Sequence, residues 1–442
     1  MKLSYNWLND FADFNTIPFA KLHEKISLSI CEVDSVTEYN QFLETIVVAK
    51  ILETKKHPDA DKLTICQADL GAIKLQIVTA ASVQVGDIVP LAMIGTVLLD
   101  GKIIGEGKLR GIDSFGMFCS EKELGLAEES SGLMLLPNDS ILGSSLRKVL
   151  EMEDKILLID NKSITHRPDL WSHFGFAREL AAQLNIPLKF NPFEAKFSYS
   201  EITSPTVIEN KNAHSYFAVN IENVKIAASL RKFSSRLQRC GIKSINNIVD
   251  VSNYVMLEMG QPTHFFDREK LGTISLSVEF AKDKEALALL DKTVKELNSN
   301  ILTIRNNSEA VAIAGIMGGE DSAISNSTKN IILESACFRR ENIRKSIQIT
   351  KIRTEAAMRY EKGLDSSSSM PLINRSLQLL KENGCGDFSA SKPAGFESVK
   401  KIKMIETSFD FINQKLGTVF EEKIILDILH RLNFSVKEIE SK

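Results

Sequence analysis

At 442 residues, with 43% hydrophobic and 25% charged residues, the sequence is too long for one core and has the composition of a soluble globular protein of about three domains. Its net charge of −3 leaves no global electrostatic footprint for nucleic acid, so any such binding has to come from local patches. The six cysteines are scattered without a C-x-x-C pair, which argues against a zinc site or a disulfide framework and fits a reducing cytoplasm. No apolar run reaches membrane-spanning length. The start, MKLSYNWLNDFADF, carries Asp10 and Asp13 without an apolar stretch and is not a signal peptide.

In chain order, residues 1–38 read as a short strand or turn over Leu3 to Trp7 and a helix around Phe19–Ser29. From Glu44 the pattern changes to short β runs (TIVVAKIL, KLTICQADL, IKLQIVTA, DIVPLAMIGTVLL, GMFCS) punctuated by glycines and by Asp100-Gly101. Regular short strands with turn signals indicate a small barrel or sandwich. Helical patterning returns near Leu146, and FGFARELAAQL (174–184) is amphipathic. That segment is expected to pack on residues 1–38, with the barrel inserted between them. Residues 200–395 mix the helix LRKFSSRLQRCG, the strands LALL, ILTI and VAIAGIM, and helices over 340–350 and 371–383, an α+β pattern. Finally, FEEKIILDILHRLNF (420–434) places Ile424, Ile425, Ile428, Leu429 and Leu432 on one helical face with no companion following, as if a domain began there and were cut short.

The stretch Gly241 to Asp267 is the most unusual. Apolar residues at helical spacing (Ile245, Ile248, Val249, Val251, Val255, Met256) drive burial, yet Asn246, Asn247, Asp250, Asn253, His264 and Asp267 are interleaved with them. An unpaired buried amide costs about 1–3 kcal/mol, so these groups need partners. Gly260 and Pro262 end the helix and are expected to present His264 on a loop. A binding pocket and a satisfied polar core network are equally compatible with the residues alone.

Other constellations also carry two readings. In the barrel, Lys55, Lys56, Lys62, Lys108, Arg110 and Lys122 alternate with acids and with Phe115 and Phe118. They make a basic groove with exposed aromatics, or solvated charges around core aromatics, which is the default when acids match bases. In ITHRPDLWSHFGFAREL (164–180) an Arg167–Asp169 pair stapling a turn is favoured, with Trp171 and Phe174 anchoring the next helix. In VAIAGIMGGEDSAISNST (311–328), Gly315, Gly318 and Gly319 lack the Gly-Lys-Ser/Thr of a P-loop and mark a tight turn after a buried strand. Glu334 in IILESACF needs a donor, either an arginine such as Arg359 or a ligand hydroxyl.

HPDADKL (57–63) followed by RGIDSFGMFCSEKELGL resembles the oligonucleotide-binding-fold tRNA-binding domain, with Thr79-Ala80-Ala81 where that family commonly has Cys-Gly-Ala. ITHRPDLWSHFGFAREL, the 241–267 block, the glycine-rich loop, IILESACF and RTEAAMRYEKGLD (353–365) resemble, in order and spacing, the bacterial phenylalanine–tRNA ligase beta subunit. The resemblance implies a multidomain α+β protein with an inserted all-β barrel. Its parts are an N-terminal B1-like α+β domain (1–38 and 149–199), an oligonucleotide-binding-fold tRNA-binding domain (39–148), a mixed α/β B3/B4 editing domain (200–398) and a truncated B5-like domain (399–442).

Carried over by motif position, His264, Asn253 and Thr354 are the implied catalytic set. Glu334, Gly315, Ala356 and Ser252 are the implied substrate set, with Ser252 where the family usually has threonine. Lys55, Lys56, Lys62, Lys108 and Arg110 are the tRNA-binding candidates. Thr263 and Phe265 stand where the family more usually has Leu or Met and Ala beside the histidine, and the bulk of Phe265 bears on the pocket wall. The implied activity is hydrolysis of mischarged Tyr-tRNA(Phe), with Glu334 accepting the phenolic O–H. No metal is expected in this chain, and ATP and Mg2+ are implied for a separate alpha subunit in a cytoplasmic heterotetramer of two alpha and two beta chains. A non-catalytic tRNA-binding scaffold and a DNA-binding architectural protein are the alternatives.

Overall fold

The computed structural model describes residues 1–127, 129–398 and 404–437, in two compact units. The smaller runs from Thr37 to Lys155, where sequence reasoning has 39–148. The larger comprises Met1–Val36 and Ile156–Lys442, and the expected boundary at 399 falls outside the described residues.

In the smaller unit the long strand Ile46–Lys56 is central, because its alternating apolar residues bury one face and its eleven residues can pair on both sides. The antiparallel order is Lys74–Thr79, Thr64–Asp69, Ile46–Lys56, Ile88–Met93, Gly116–Phe118. The two outer strands curl toward each other: the Phe115 N–H donates to the Gln76 carbonyl at 3.0 Å and the Val78 N–H to Ser114 Oγ at 3.0 Å. The sheet is therefore nearly closed, and Ile51, Ile77, Val89, Leu91 and Phe118 fill it. A small hairpin, Gly107–Leu109 with Ile112–Ser114, turns through Arg110 and Gly111, both at positive φ (51° and 86°), as a two-residue turn between twisted strands requires.

In the larger unit one apolar core joins Leu3, Trp7 and Phe174 to Val251, Leu333 and Leu377. The segments read from sequence as two domains, 1–38 with 149–199 and 200–398, thus share this core. The helices His173–Leu184, Arg231–Arg239, Arg340–Thr350 and Ser369–Glu382 occupy the amphipathic stretches. Among the described residues no helix is long and apolar enough to cross a membrane.

Two five-stranded sheets carry most of the β structure of this unit, beside a three-stranded sheet in the order Lys2–Ser4, Lys155–Ile159, Val33–Glu38 and the hairpin Ala286–Ala288 with Val294–Glu296. In one five-stranded sheet, Ile331–Phe338 is buried at every position, flanked by Thr263–Asp267 and Ala213–Glu222. A continuous apolar run is what a strand covered on both faces requires. In the other, the order is Thr206–Val207, Ser275–Phe280, Leu302–Asn306, Glu309–Ile313, Met317–Gly318.

One expectation is corrected here. His264 lies on the strand Thr263–Asp267, paired antiparallel with Ile331–Phe338, and not on a loop. Gly260 (φ 84°) does end the preceding helix. The chain then needs only Gln261 and Pro262 before Phe265 and Phe266 gain burial on opposite sides of the sheet, and edge pairing takes over.

Candidate functional site

The helix Asn247–Met259 sorts its polar residues by face. Asn246 caps it, accepting from the Ile248 and Val249 N–H groups at 3.1 and 2.9 Å. Asn247 accepts from the Ala227 N–H at 3.0 Å and donates to the Lys225 carbonyl at 2.9 Å. Asp250 accepts from the Ser229 hydroxyl at 2.6 Å, the Ile245 N–H at 2.8 Å and the Ser244 hydroxyl. Asp267 caps the short helix Arg268–Leu271 and accepts from Thr328. These four form a satisfied structural network. Val249, Ser252, Asn253 and Met256, on one helical face, line a cavity of about 570 Å³, which Asn246 also borders at the helix start. One face of this helix thus holds the satisfied polar groups and another borders the cavity.

The cavity's second wall is the strand pair. In the antiparallel register His264 is directly opposite Glu334, so both side chains leave the sheet on one face. Phe265 points to the opposite face, into the core with Leu333 and Val255, although part of it borders the cavity. Tyr216 lies opposite Ala336 on the third strand, one side-chain repeat from Glu334. Its hydroxyl donates to Glu334 Oε2 at 2.9 Å. Of the two donors considered for Glu334, the arginine is therefore not the one found. Arg359 gives its guanidinium to Glu355 and to the Trp171 carbonyl, and a neighbouring phenol satisfies Glu334 instead. No described side chain donates to Glu334 Oε1, and neither Asn253 nor the imidazole of His264 has a hydrogen-bonded side-chain partner among the described residues.

The third wall is the turn after Glu309–Ile313. Gly315 adopts φ +64°, and a Cβ there would stand 2.8 Å from Tyr360 and 3.0 Å from Phe338. Gly318 has ordinary φ, but a Cβ would meet His264 at 2.7 Å. The backbone thus packs directly against the imidazole, whose other side meets Phe266 edge-on at 4.5 Å. Thr354 starts the helix Glu355–Tyr360. Its Oγ1 accepts from the Ala357 N–H at 3.1 Å and donates to the Ile316 carbonyl at 2.8 Å, tying helix to turn. With its proton so engaged, Thr354 braces the wall. Ser252 likewise donates to the Thr263 carbonyl, holding helix to strand. Ala356 adds a small apolar patch to the lining.

Burial sets the electrostatics. It pushes the Glu334 carboxyl up to about 7, against the lowering effect of the Tyr216 hydroxyl. It lowers the His264 imidazole to about 4, so this ring is neutral at pH 7. The cavity thus offers an acceptor oxygen, a neutral imidazole and a carboxamide around an apolar lining. Among the described residues no cluster of His, Cys, Asp or Glu is disposed to hold a metal ion.

Tyr216 escaped the sequence reading. It lies 118 residues from its partner, in a mostly buried strand where a tyrosine between Ser215 and Phe217 gives no local signal of a distant carboxylate. The Arg167–Asp169 pair forms at 2.8–2.9 Å, with Glu179 on the same guanidinium and Arg178 on the same carboxylate, and braces a turn as expected.

In the smaller unit Lys55, Lys56, Lys62, Lys108 and Arg110 are all exposed. Lys56 pairs with Asp61 at 3.0 Å and Lys108 with Asp113 at 3.6 Å. Buried His57 links their two loops, its Nε2–H donating to the Leu109 carbonyl at 3.1 Å and its Nδ1 accepting the Asp59 N–H at 3.1 Å. Of the aromatics, Phe118 is core and Phe115 is exposed.

Residues 212–385 match the B3/4 domain family and residues 46–145 a tRNA binding domain family. Over 439 residues, 99% of this chain, the sequence is 53% identical to the phenylalanine–tRNA ligase beta subunit of Leptospira biflexa. It is 36% identical over 448 residues to that of Clostridium acetobutylicum. It spans 55% and 56% of those relatives, about half their length. A crystallised N-terminal fragment of the Pyrococcus horikoshii phenylalanyl-tRNA synthetase beta subunit aligns over 65% of this chain and 79% of its own, at 15% identity and a TM-score of 0.32, too distant a likeness to bear on the fold.

Proposed function

Because the chain belongs to the phenylalanine–tRNA ligase beta-subunit family, we propose that its B3/4 cavity hydrolyses tyrosine wrongly attached to tRNA(Phe). An apolar synthetic pocket for phenylalanine discriminates poorly against one added hydroxyl. A second pocket built around a buried acceptor reverses the preference. Glu334 Oε1 accepts the phenolic O–H of tyrosine, while phenylalanine leaves that oxygen unpaired at a cost of about 1–3 kcal/mol. The observation that carries this reading is the across-strand pair of His264 and Glu334, with Oε2 held by Tyr216 and Oε1 without a partner among the described residues.

Water attacks the ester carbonyl, the bond to the ribose oxygen breaks, and the products are tyrosine and a free 3′-terminal ribose hydroxyl. A base of pKa about 4 is too weak to remove a proton effectively at neutral pH, so His264 acts by orientation, one nitrogen accepting from the water and the other donating to the substrate. Asn253 holds the terminal nucleotide, Ala356 leaves room for the aromatic ring, and Gly315 lets the turn pack against Tyr360 and Phe338 behind it. Ser252 and Thr354 keep the three walls in register.

The nearly closed sheet of Thr37–Lys155 is read as an oligonucleotide-binding barrel that engages tRNA through Lys55, Lys56, Lys62, Lys108 and Arg110. In the assembled cytoplasmic enzyme, two such chains join two alpha subunits, which carry the ATP- and Mg2+-dependent ligation. The test is Tyr-tRNA(Phe) deacylation by the assembled heteromer. His264→Ala and Glu334→Ala are each expected to slow it at least tenfold, and wild-type rates in both would refute the assignment.

A further inference from the structure

The chain is acidic overall, yet fifteen residues, Arg339 to Arg353, carry six cations and a single carboxylate, Glu341. The helix Arg340–Thr350 fills this segment. Its buried side is Ile343, Ser346 and Thr350, which leaves Arg340, Arg344 and Lys345 on the exposed side. Lys351 ends the helix at φ 58° and Arg353 follows, both exposed. Compensation is slight: Arg340 approaches Glu341 at 3.6 Å and Arg353 meets Glu361 at 3.2 Å, with both arginines more than half exposed. Arg344 Nε donates to a backbone carbonyl, which neutralises nothing. Other basic helices differ. Arg236 of Arg231–Arg239 is matched by Asp10 at 2.6 Å, and Lys232 by Glu382 at 3.6 Å.

The strip is anchored to the cavity. Ile352 packs against the apolar cluster that holds Ile316 of the turn and Ala357 of the helix Glu355–Tyr360. The next residue after Arg353 is Thr354, itself a lining residue. Leu290 and Asp291 also line the cavity, from a hairpin whose tip carries exposed Lys292. A row of cations with little carboxylate compensation, running up to a residue that lines the pocket, fits a partner with regularly spaced negative charge and a small terminal group that enters the pocket.

We infer that the Arg340–Arg353 strip is a phosphate-binding rail that receives the single-stranded 3′ end of an aminoacylated RNA and directs its terminal ester into the cavity. The inference rests on the reading of that cavity as an ester-hydrolysing site. Each phosphate neutralised by a cation releases condensed counterions, with a log–log salt slope of about −0.7 to −0.9 per contact. Four cations on the rail therefore contribute a slope of roughly 3.

The test compares the full chain with two fourfold variants of equal charge change. In one, Arg340, Arg344, Lys345 and Lys351 are each changed to Gln. In the other, Lys21, Lys415, Lys423 and Lys437, all exposed, are changed to Gln. The probe is an acceptor-stem hairpin RNA with an unpaired CCA end, titrated across KCl concentrations. The rail variant is expected to bind at least tenfold more weakly than the control variant at 0.1 M salt, with a salt slope shallower by at least 2. Equal affinity and slope in the two variants would overturn the rail. Hydrolysis of tyrosyl-adenosine by the same three proteins keeps the two ideas apart. The rail variant should retain the wild-type rate, and failure of wild type to hydrolyse it counts against the cavity reading, while the binding comparison still decides the rail.

Discussion

Gly318→Ala isolates the role of His264 without touching its chemistry. Gly318 has no positive φ, so alanine meets no backbone penalty, and the effect lies in the added methyl group. That Cβ would lie 2.7 Å from His264 Cε1, 2.8 Å from Nε2 and 3.1 Å from Leu290 Cδ1. Carbon–carbon contacts are comfortable at about 3.5–4.0 Å, so the ring must retreat by about 0.8–1.3 Å. Phe266 blocks one direction at 4.5 Å and leaves displacement across the cavity. A misplacement of about 1 Å costs on the order of 10²-fold in a positioned reaction. Overpacking costs about 1–3 kcal/mol of stability, less where Leu290, which is half exposed, yields. The assay is single-turnover deacylation of Tyr-tRNA(Phe) by the assembled enzyme, alongside thermal melting. Gly319→Ala is the control, because its Cβ meets the Val311 carbonyl oxygen at 2.6 Å and not the histidine. It should lower stability more than Gly318→Ala does. A Gly318→Ala enzyme that deacylates within twofold of wild type, at unchanged melting temperature, refutes the positioning role.

Removing the Tyr216 hydroxyl takes away what lowers the Glu334 carboxyl. In Tyr216→Phe the pH midpoint for discriminating tyrosyl from phenylalanyl esters should therefore move upward from about 7, and an unmoved profile between pH 6 and 9 would count against Tyr216. Glu334 also bears on stability. Its folded pKa of about 7 exceeds its ordinary 4.5, so between those values the native state keeps a proton that the unfolded chain releases, and wild-type stability falls as pH rises through that window. Glu334→Gln lacks this penalty and should gain up to about 3 kcal/mol over wild type above pH 7 and nothing below pH 4, as read by urea melts at both pH values. Gly315→Ala combines φ +64° with three side chains within 3.1 Å and should cost at least about 2 kcal/mol in the same melts. His57→Ala frees the Gly107–Ser114 hairpin from the Asp59 loop and should weaken tRNA binding several-fold, measured by filter retention, with little change in deacylation of tyrosyl-adenosine.

Much of this was readable from residue pattern, because local forces dominate there. The helix His173–Leu184 follows from its apolar spacing, and the strands around Ile46–Lys56 from alternation between turn residues. The division of labour in Asn247–Met259 was also legible in principle: 249, 252, 253 and 256 share one helical face, and 247, 250 and 254 another. What the pattern lacked was long-range pairing. Nothing near Thr263–Asp267 announces its partner strand, so the break at Gly260 and Pro262 read as the start of a loop. The partner of Glu334 was likewise undetermined, since any donor on any neighbouring strand would satisfy a buried carboxylate. The motif resemblance named Glu334 and His264 but carried no information on Tyr216 or on the charge gathered over 339–353.

The register of the Thr263–Asp267 strand also constrains how this protein can diversify. Side chains alternate across a sheet, so a one-residue slip of this strand against Ile331–Phe338 would turn His264 into the core and swing Phe265 into the cavity. Point changes at Ser252, Thr263 or Phe265 leave that parity intact. The lineage can thus drift in residue identity along this strand while its register stays frozen, and length variation should accumulate in the exposed hairpin tips instead.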